Sequence, residues 1–253
     1  MGTAQESQVD IRAIELDVQS QNSVDAAIRS ILEAEGRLEV VVHNAGHLSI
    51  GYAEAFTAAD ITELFDVNVL GMQRVNRAVL PHMRERGSGT LVYVGSTSTI
   101  DLPPFMAAYV ASKSAFDALA QLTAYEVSAF GIESTIVMPG AFTRGTEHFA
   151  NASRASDQKV AGAYARFEGM VGRYEQATEG LFGGVDADPP TVAAEIGRIL
   201  ALPRGSKPAR AVLDFTQSHV EQCNEVLRQE QAAFLSRMGF GELLTLGGKT
   251  SVH

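Results

Sequence analysis

The sequence predicts an α/β protein built on a parallel sheet, and three observations carry that expectation. Residues 38–42 form a short, largely apolar run, as expected of a strand buried on both faces of a parallel sheet, and residues 90–94 and 132–137 read as further strands. Between them lie stretches whose apolar residues recur at helical spacing. Strands that alternate with helices form right-handed crossovers, and these align the strands in parallel.

Each element has its own signal in the chain. Residues 11–16 alternate apolar and polar and read as a strand that ends at Asp17-Val18. Ser23 is placed to cap a helix running to Glu35, with Val24, Ile28, Ile31 and Leu32 on one face and Gly36 as its stop. Thr57 is a cap for a long helix to Arg86, striped by Ile61, Leu64, Phe65, Met72, Val75 and Val79. A second long helix spans 109–130 and ends at Gly131. The strand at 132–137 is broken by Pro139-Gly140. Residues 145–188 interrupt the rhythm with scattered aromatics, which fits either a cover over a site or a surface excursion with its own small core. Pro189-Pro190 restarts order, leading to a helix through Leu200, a last strand at 210–215 and a polar helix at 217–238.

At 253 residues, with 45% hydrophobic and 20% charged content, the chain suits one domain with a substantial core, residues 1–253. A net charge of −10 argues against binding a phosphate backbone. The apolar runs are too short to span a bilayer, and the start does not resemble a secretory signal or a myristoylation site. Cys223 is the single cysteine, which fits a reducing cytoplasm and makes the sequon at Asn151 incidental. No His, Cys and acid spacing suggests a metal site.

Chemistry enters with Tyr109 and Lys113, four residues apart and so on one helical face. A free phenol is a poor acid-base group at neutral pH, and a nearby ammonium favours its ionised form. Random placement of so few Tyr and Lys would give only about 0.1 such pairs. Thirteen residues upstream of Tyr109, a strand-like run ends in Gly95-Ser96, placing a hydroxyl where it could hold a carbonyl oxygen. The set is suited to proton transfer in alcohol and carbonyl chemistry.

Five motifs in register now resemble the short-chain dehydrogenase/reductase family, from about Asp10 to Phe215. They are Val41-Val42-His43-Asn44-Ala45-Gly46, with His43 in place of the family's first Asn; Asp66-Val67-Asn68-Val69; Leu91-Val92-Tyr93-Val94-Gly95-Ser96; Tyr109 with Lys113; and Val137-Met138-Pro139-Gly140. The resemblance implies a Rossmann-like, doubly wound parallel sheet. It also implies an NAD- or NADP-dependent oxidoreductase acting on a small-molecule alcohol or ketone. In that reading Tyr109 moves the proton and Lys113 lowers its pKa and bonds the nicotinamide ribose. Ser96 holds the substrate oxygen, with Ser98 a weaker rival, and Asn68 holds a water that links Lys113 to solvent. Asp17 contacts adenine, Asn44, Ala45 and Gly46 line the adenosine side, and Pro139, Gly140 and Thr143 flank the nicotinamide. The family's Thr lies one residue beyond Thr143. The resemblance makes 145–188 a substrate lid and 217–253 a C-terminal helical extension.

One family feature is missing from the chain. No Thr-Gly-x-x-x-Gly-x-Gly pattern occurs, and Gly87-Ser88-Gly89 precedes a strand rather than opening a helix. Residues 9–16 already read as the family's third strand, so the sheet is expected to be N-terminally truncated, without the family's first two strands. Residues 9–16 then either pair directly with 38–42 or leave that strand with an open edge. Cofactor binding by such a chain is expected to be poor. The alternative function is a non-catalytic remnant that only folds or oligomerises. The family also implies a homodimer or homotetramer in which the two long helices meet symmetry mates, through Met72, Val79, Phe116, Leu119 and Phe130.

Overall fold

The computed structural model describes residues 10–185 and 187–247, and the sheet at its centre is four-stranded and wholly parallel, in the order β1-β2-β3-β4. The elements follow one another as α1 (Gln21–Glu35), β1 (Val40–His43), α2 (Ala58–Phe65), a π-helical turn (Asp66–Leu70), α3 (Gly71–Arg86), β2 (Gly89–Val94), α4 (Ser98–Asp101) and α5 (Ala107–Ser128). After β3 (Ile132–Pro139) come the short helices α6 (Gln158–Ala163), α7 (Glu168–Val171) and α8 (Tyr174–Glu179). The described chain then runs through α9 (Pro190–Leu200), β4 (Arg210–Leu213) and α10 (Val220–Arg237).

Strand alternation divides the core between two faces. Leu91 and Tyr93 of β2, with Ile136 and Met138 of β3, pack against Val24 and Ile28 of α1, Met72, Val75 and Val79 of α3, and Phe116 and Ala120 of α5. Val92 and Val137 point the other way, onto Ile199 of α9. Helices on both faces make the sheet doubly wound, as expected. A third cluster, around Leu48, Phe56, Leu64, Met106 and Tyr109, receives Phe149, Ala155, Val160 and Tyr174 from residues 145–188. That segment therefore builds a core of its own beside Tyr109.

The helix signals are mostly borne out, with shifts at the ends. Thr57 and Asp60 form a reciprocal capping box at the start of α2. Gly36 closes α1 in the left-handed conformation, with its N–H on Leu32. The cap of α1 is Ser20 rather than Ser23, whose N–H is the group that Ser20 caps. The stretch 57–86 is not one uniform α-helix, because the π-helical turn divides it.

Residues 10–16 form no strand, while Val9 lies outside the described residues. The reason is the anchoring of the next residues to the helix layer. The guanidinium of Arg74 donates to the Val18 carbonyl (3.0 Å) and pairs with Asp66 (2.5 Å), and Gly71 leaves room for the Val18 side chain, which a Cβ there would strike. Ile11 stays 69% exposed. The outer edge of β1 consequently has no strand partner among the described residues, and Val42 is 43% exposed beside it. At the end of β1, His43 lies flat against Tyr93, with ring centroids 4.7 Å apart, and burial lowers its pKa to about 4.

The apolar patch expected on the long helices is smaller than the sequence implied. Met72, Val79 and Phe116 are spent inside the chain's own core, and Leu119 is partly buried against it. Phe130 and, on α5, Leu122 remain about half exposed.

Candidate active site

Parallel strands bring their C-terminal ends to one edge, where side chains and backbone from separate crossovers converge. Here that edge opens onto a cavity of about 540 Å³. The end of β1 contributes Asn44 and Gly46, the end of β2 Gly95 and Ser96, and the end of β3 Pro139 and Gly140. Tyr109 and Lys113 enter from the first turns of α5.

Their environments are dry. Tyr109 is 6% exposed, and burial pushes its pKa up to about 12; the nearby Ser96 hydroxyl pulls it down and Tyr174 adds to the rise. Burial lowers Lys113 to about 8. The Lys113 ammonium donates to the Val94 carbonyl at 2.9 Å and lies 5.0 Å from the centre of the Phe116 ring and 6.0 Å from that of Tyr109. Desolvation thus outweighs the expected pull of the ammonium on the phenol, and Lys113 is not among the groups that move it. The Ser96 and Ser98 hydroxyl oxygens stand 2.8 Å apart, and the Ser98 N–H donates to the Ser96 hydroxyl, which fixes its direction.

The sign of the Lys113 shift gives a pH dependence. The unfolded ammonium titrates near 10.4 and the folded one near 8, so across that interval the unfolded chain holds a proton that the folded chain has lost. Folding stability should therefore rise with pH between about 8 and 10. Above about 10 Tyr109 acts in the opposite sense, since the unfolded phenol ionises first. Urea midpoints measured from about pH 7 to 10 should climb for the wild type and climb less for Lys113→Met. Parallel curves would contradict the burial of a titrating ammonium.

Asn68 does not line the cavity but stands behind it. Its Oδ1 accepts the His47 N–H (2.7 Å), while Nδ2 donates to the His47 carbonyl (3.0 Å) and to the Ser112 hydroxyl (2.9 Å). Ser112 in turn donates to the Tyr109 carbonyl, so Asn68 ties the loop after β1 to the helix that carries Tyr109. Its amide hydrogens are fully used, which makes it a positioning residue more than a holder of water.

Three expected cofactor residues lie away from the cavity. Asp17 is exposed and occupied in starting α1: its carboxylate accepts the Gln19 N–H and its N–H donates to Ser23. Ala45 is exposed between two lining neighbours. Thr143 faces a separate hollow beside Arg144 and Glu179, because Phe142 takes the inward position against Phe215. His148, which no sequence pattern marks, meets Tyr109 edge-on with ring centroids 6.0 Å apart. Burial, then the charges of Lys113 and His47, lower its pKa. Among the described residues no group of His, Cys, Asp and Glu could hold a metal, and no helix is long and apolar enough to cross a membrane.

Comparison with known proteins agrees with this arrangement. The family model described as short chain dehydrogenase matches residues 2–157. The chain belongs to the short-chain dehydrogenase family. It is similar to 3-ketodihydrosphingosine reductase of Bacteroides thetaiotaomicron, 30% identical over 148 residues, which are 58% of this chain and 55% of that protein. It is also similar to human 17-beta-hydroxysteroid dehydrogenase type 1, 35% identical over 130 residues, 51% of this chain and 39% of that protein. The chain thus spans about half the length of these curated relatives or less. Among solved structures, a short-chain dehydrogenase from Streptomyces avermitilis superposes with a TM-score of 0.72 at 30% identity, over 94% of this chain and 83% of that one.

The residues present fit the nicotinamide end of the cofactor that such a dehydrogenase uses. Gly46 borders the cavity where a Cβ would come within 3.2 Å of Asn68 Oδ1 and 3.8 Å of Lys113 Nζ, so its missing side chain leaves space against the ammonium. A Cβ on Gly140 would run into Asp214. At Gly140 the missing side chain makes room for Asp214, whereas at Gly46 it leaves space beside the ammonium.

Proposed function

We propose that this short-chain dehydrogenase interconverts a small-molecule alcohol and its ketone with NAD or NADP. The convergence of Ser96, Tyr109 and Lys113 on one cavity supports this reading most directly. When bound, the nicotinamide supplies or accepts the hydride. Ser96 donates a hydrogen bond to the substrate oxygen and sets its direction, steered by Ser98. Tyr109 gives that oxygen its proton during reduction and recovers it during oxidation. Lys113, with Asn44 and Gly46, would hold the nicotinamide riboside, and Pro139 and Gly140 would lie along the ring. With burial raising the phenol to about 12, Tyr109 is protonated at neutral pH, so it is stocked for ketone reduction. Alcohol oxidation needs the phenolate and should accelerate as pH rises.

The test is ketone-dependent loss of reduced-nicotinamide absorbance, run at millimolar cofactor. No loss with any of a panel of aliphatic, cyclic and aromatic ketones would overturn the reading. A second reading, a folded protein without turnover, is separated from the first by the same assay.

A cytoplasmic location suits the exposed, unpaired thiol of Cys223. Self-association is supported by Leu122 and Phe130, which remain open on or beside α5. Light scattering at micromolar concentration should report a dimer or tetramer, and Leu122→Glu should shift it toward monomer; a monomeric wild type would end that part of the proposal.

A further inference from the structure

The catalytic cavity continues beyond the residues that surround Tyr109. A second hollow of about 690 Å³ lies between the loop at residues 103–105 and α8. Pro103, Tyr174, Thr178 and Leu181 border both spaces. Three of these recur at intervals of four and three residues, so they form one stripe of the α8 region along which the two volumes meet. The Tyr174 hydroxyl donates to Met106 Sδ at 2.8 Å, which pins that stripe to the catalytic wall.

The walls of the second hollow are apolar, with Phe105 on one side and Met170 on the other. Met170 and Leu181 are 51% and 55% exposed, an uncovered apolar surface that continues out of a reaction site. Arg173 stands on the same groove. Its Nε donates to the Gly169 carbonyl, and among the described residues it makes no ion pair.

We infer that the site takes an elongated substrate: an apolar chain leaves the reacting carbon past Tyr174 and Leu181, lies between Phe105 and Met170, and ends in an anionic group at Arg173. The inference rests on the alcohol–ketone reading and names its substrate class. Continuity with the catalytic cavity argues for a substrate chain as the occupant of this groove, and the unpaired guanidinium argues for the anionic end.

Two measurements test it, one of them independent of turnover. Parinaric acid, a long-chain carboxylate that fluoresces in apolar surroundings, should bind the wild-type chain saturably. Ala177→Trp fills the groove from α8, and Met170→Glu places a negative charge in it; each should weaken that binding at least about tenfold. Arg173→Gln should erase the preference for dodecanoate over dodecanol as a displacer. In turnover, kcat/KM for oxododecanoate should exceed that for hexanone at least about tenfold, and Ala177→Trp should bring the ratio toward one. Unchanged parinaric acid binding in both groove variants, or equal kcat/KM for the two ketones, would overturn the inference. Groove-sensitive binding with no turnover of either ketone would uphold the groove and overturn the alcohol–ketone reading instead.

Discussion

Tyr109→Phe should lower ketone-dependent turnover at least about 10²-fold, the usual loss when a general acid is removed. The substitution keeps the ring that packs beside Met106 and meets His148 edge-on, so the surrounding core is retained. It removes only the hydroxyl, the proton-bearing atom whose pKa burial has raised. KM for the ketone should change little, because Ser96 remains to hold the substrate oxygen. A melting temperature close to wild type, together with the fall in kcat, separates chemistry from folding. Turnover within a few-fold of wild type would remove Tyr109 from its assigned role.

The second large effect concerns the cofactor. NADH and NADPH titrated calorimetrically into the 253-residue chain should bind weakly, with Kd above about 1 mM, or not measurably. The nicotinamide end finds Lys113 and the open backbone of Gly46, but the pyrophosphate is the charged part of the molecule. It is ordinarily held by backbone N–H groups of a glycine-rich loop at a helix N-terminus, with the helix dipole behind them. No such loop occurs in the sequence, and a net charge of −10 adds repulsion. Asp17, the residue expected near adenine, is committed to the turn before α1. Micromolar binding of either cofactor would show that other donors hold the pyrophosphate, and the tighter of the two would settle NAD against NADP.

Local pattern made much of this legible. The runs at 38–42, 90–94 and 132–137 became strands because short stretches between helical patterns have few other uses in an α/β chain. Tyr109 and Lys113 could be paired from helical spacing, and the family resemblance added Ser96 at the strand end. What escaped the sequence depended on competition between forces. The alternation at 11–16 looks like a strand, yet Arg74 and Gly71 hold the following residues against α3 instead. Proximity of Lys113 suggested an acidified phenol, but burial of both groups decides otherwise. His148 was invisible because its approach to Tyr109 is set by the folding of 145–188, for which periodicity offers no guide. The helix faces could be read, but which residues they would hide could not: Met72, Val79 and Phe116 went inward.

The π-helical turn at Asp66–Leu70 acts as a phase shifter between two bodies. Before it, Leu64 of α2 belongs to the core built with residues 145–188; after it, Met72, Val75 and Val79 of α3 belong to the core under the sheet. The wider turn lets successive helical segments face two different cores. Asn68 sits at that joint, gripping His47 on one side and Ser112 on the other. Through Ser112, which donates to the Tyr109 carbonyl, that joint is tied to the helix that carries Tyr109.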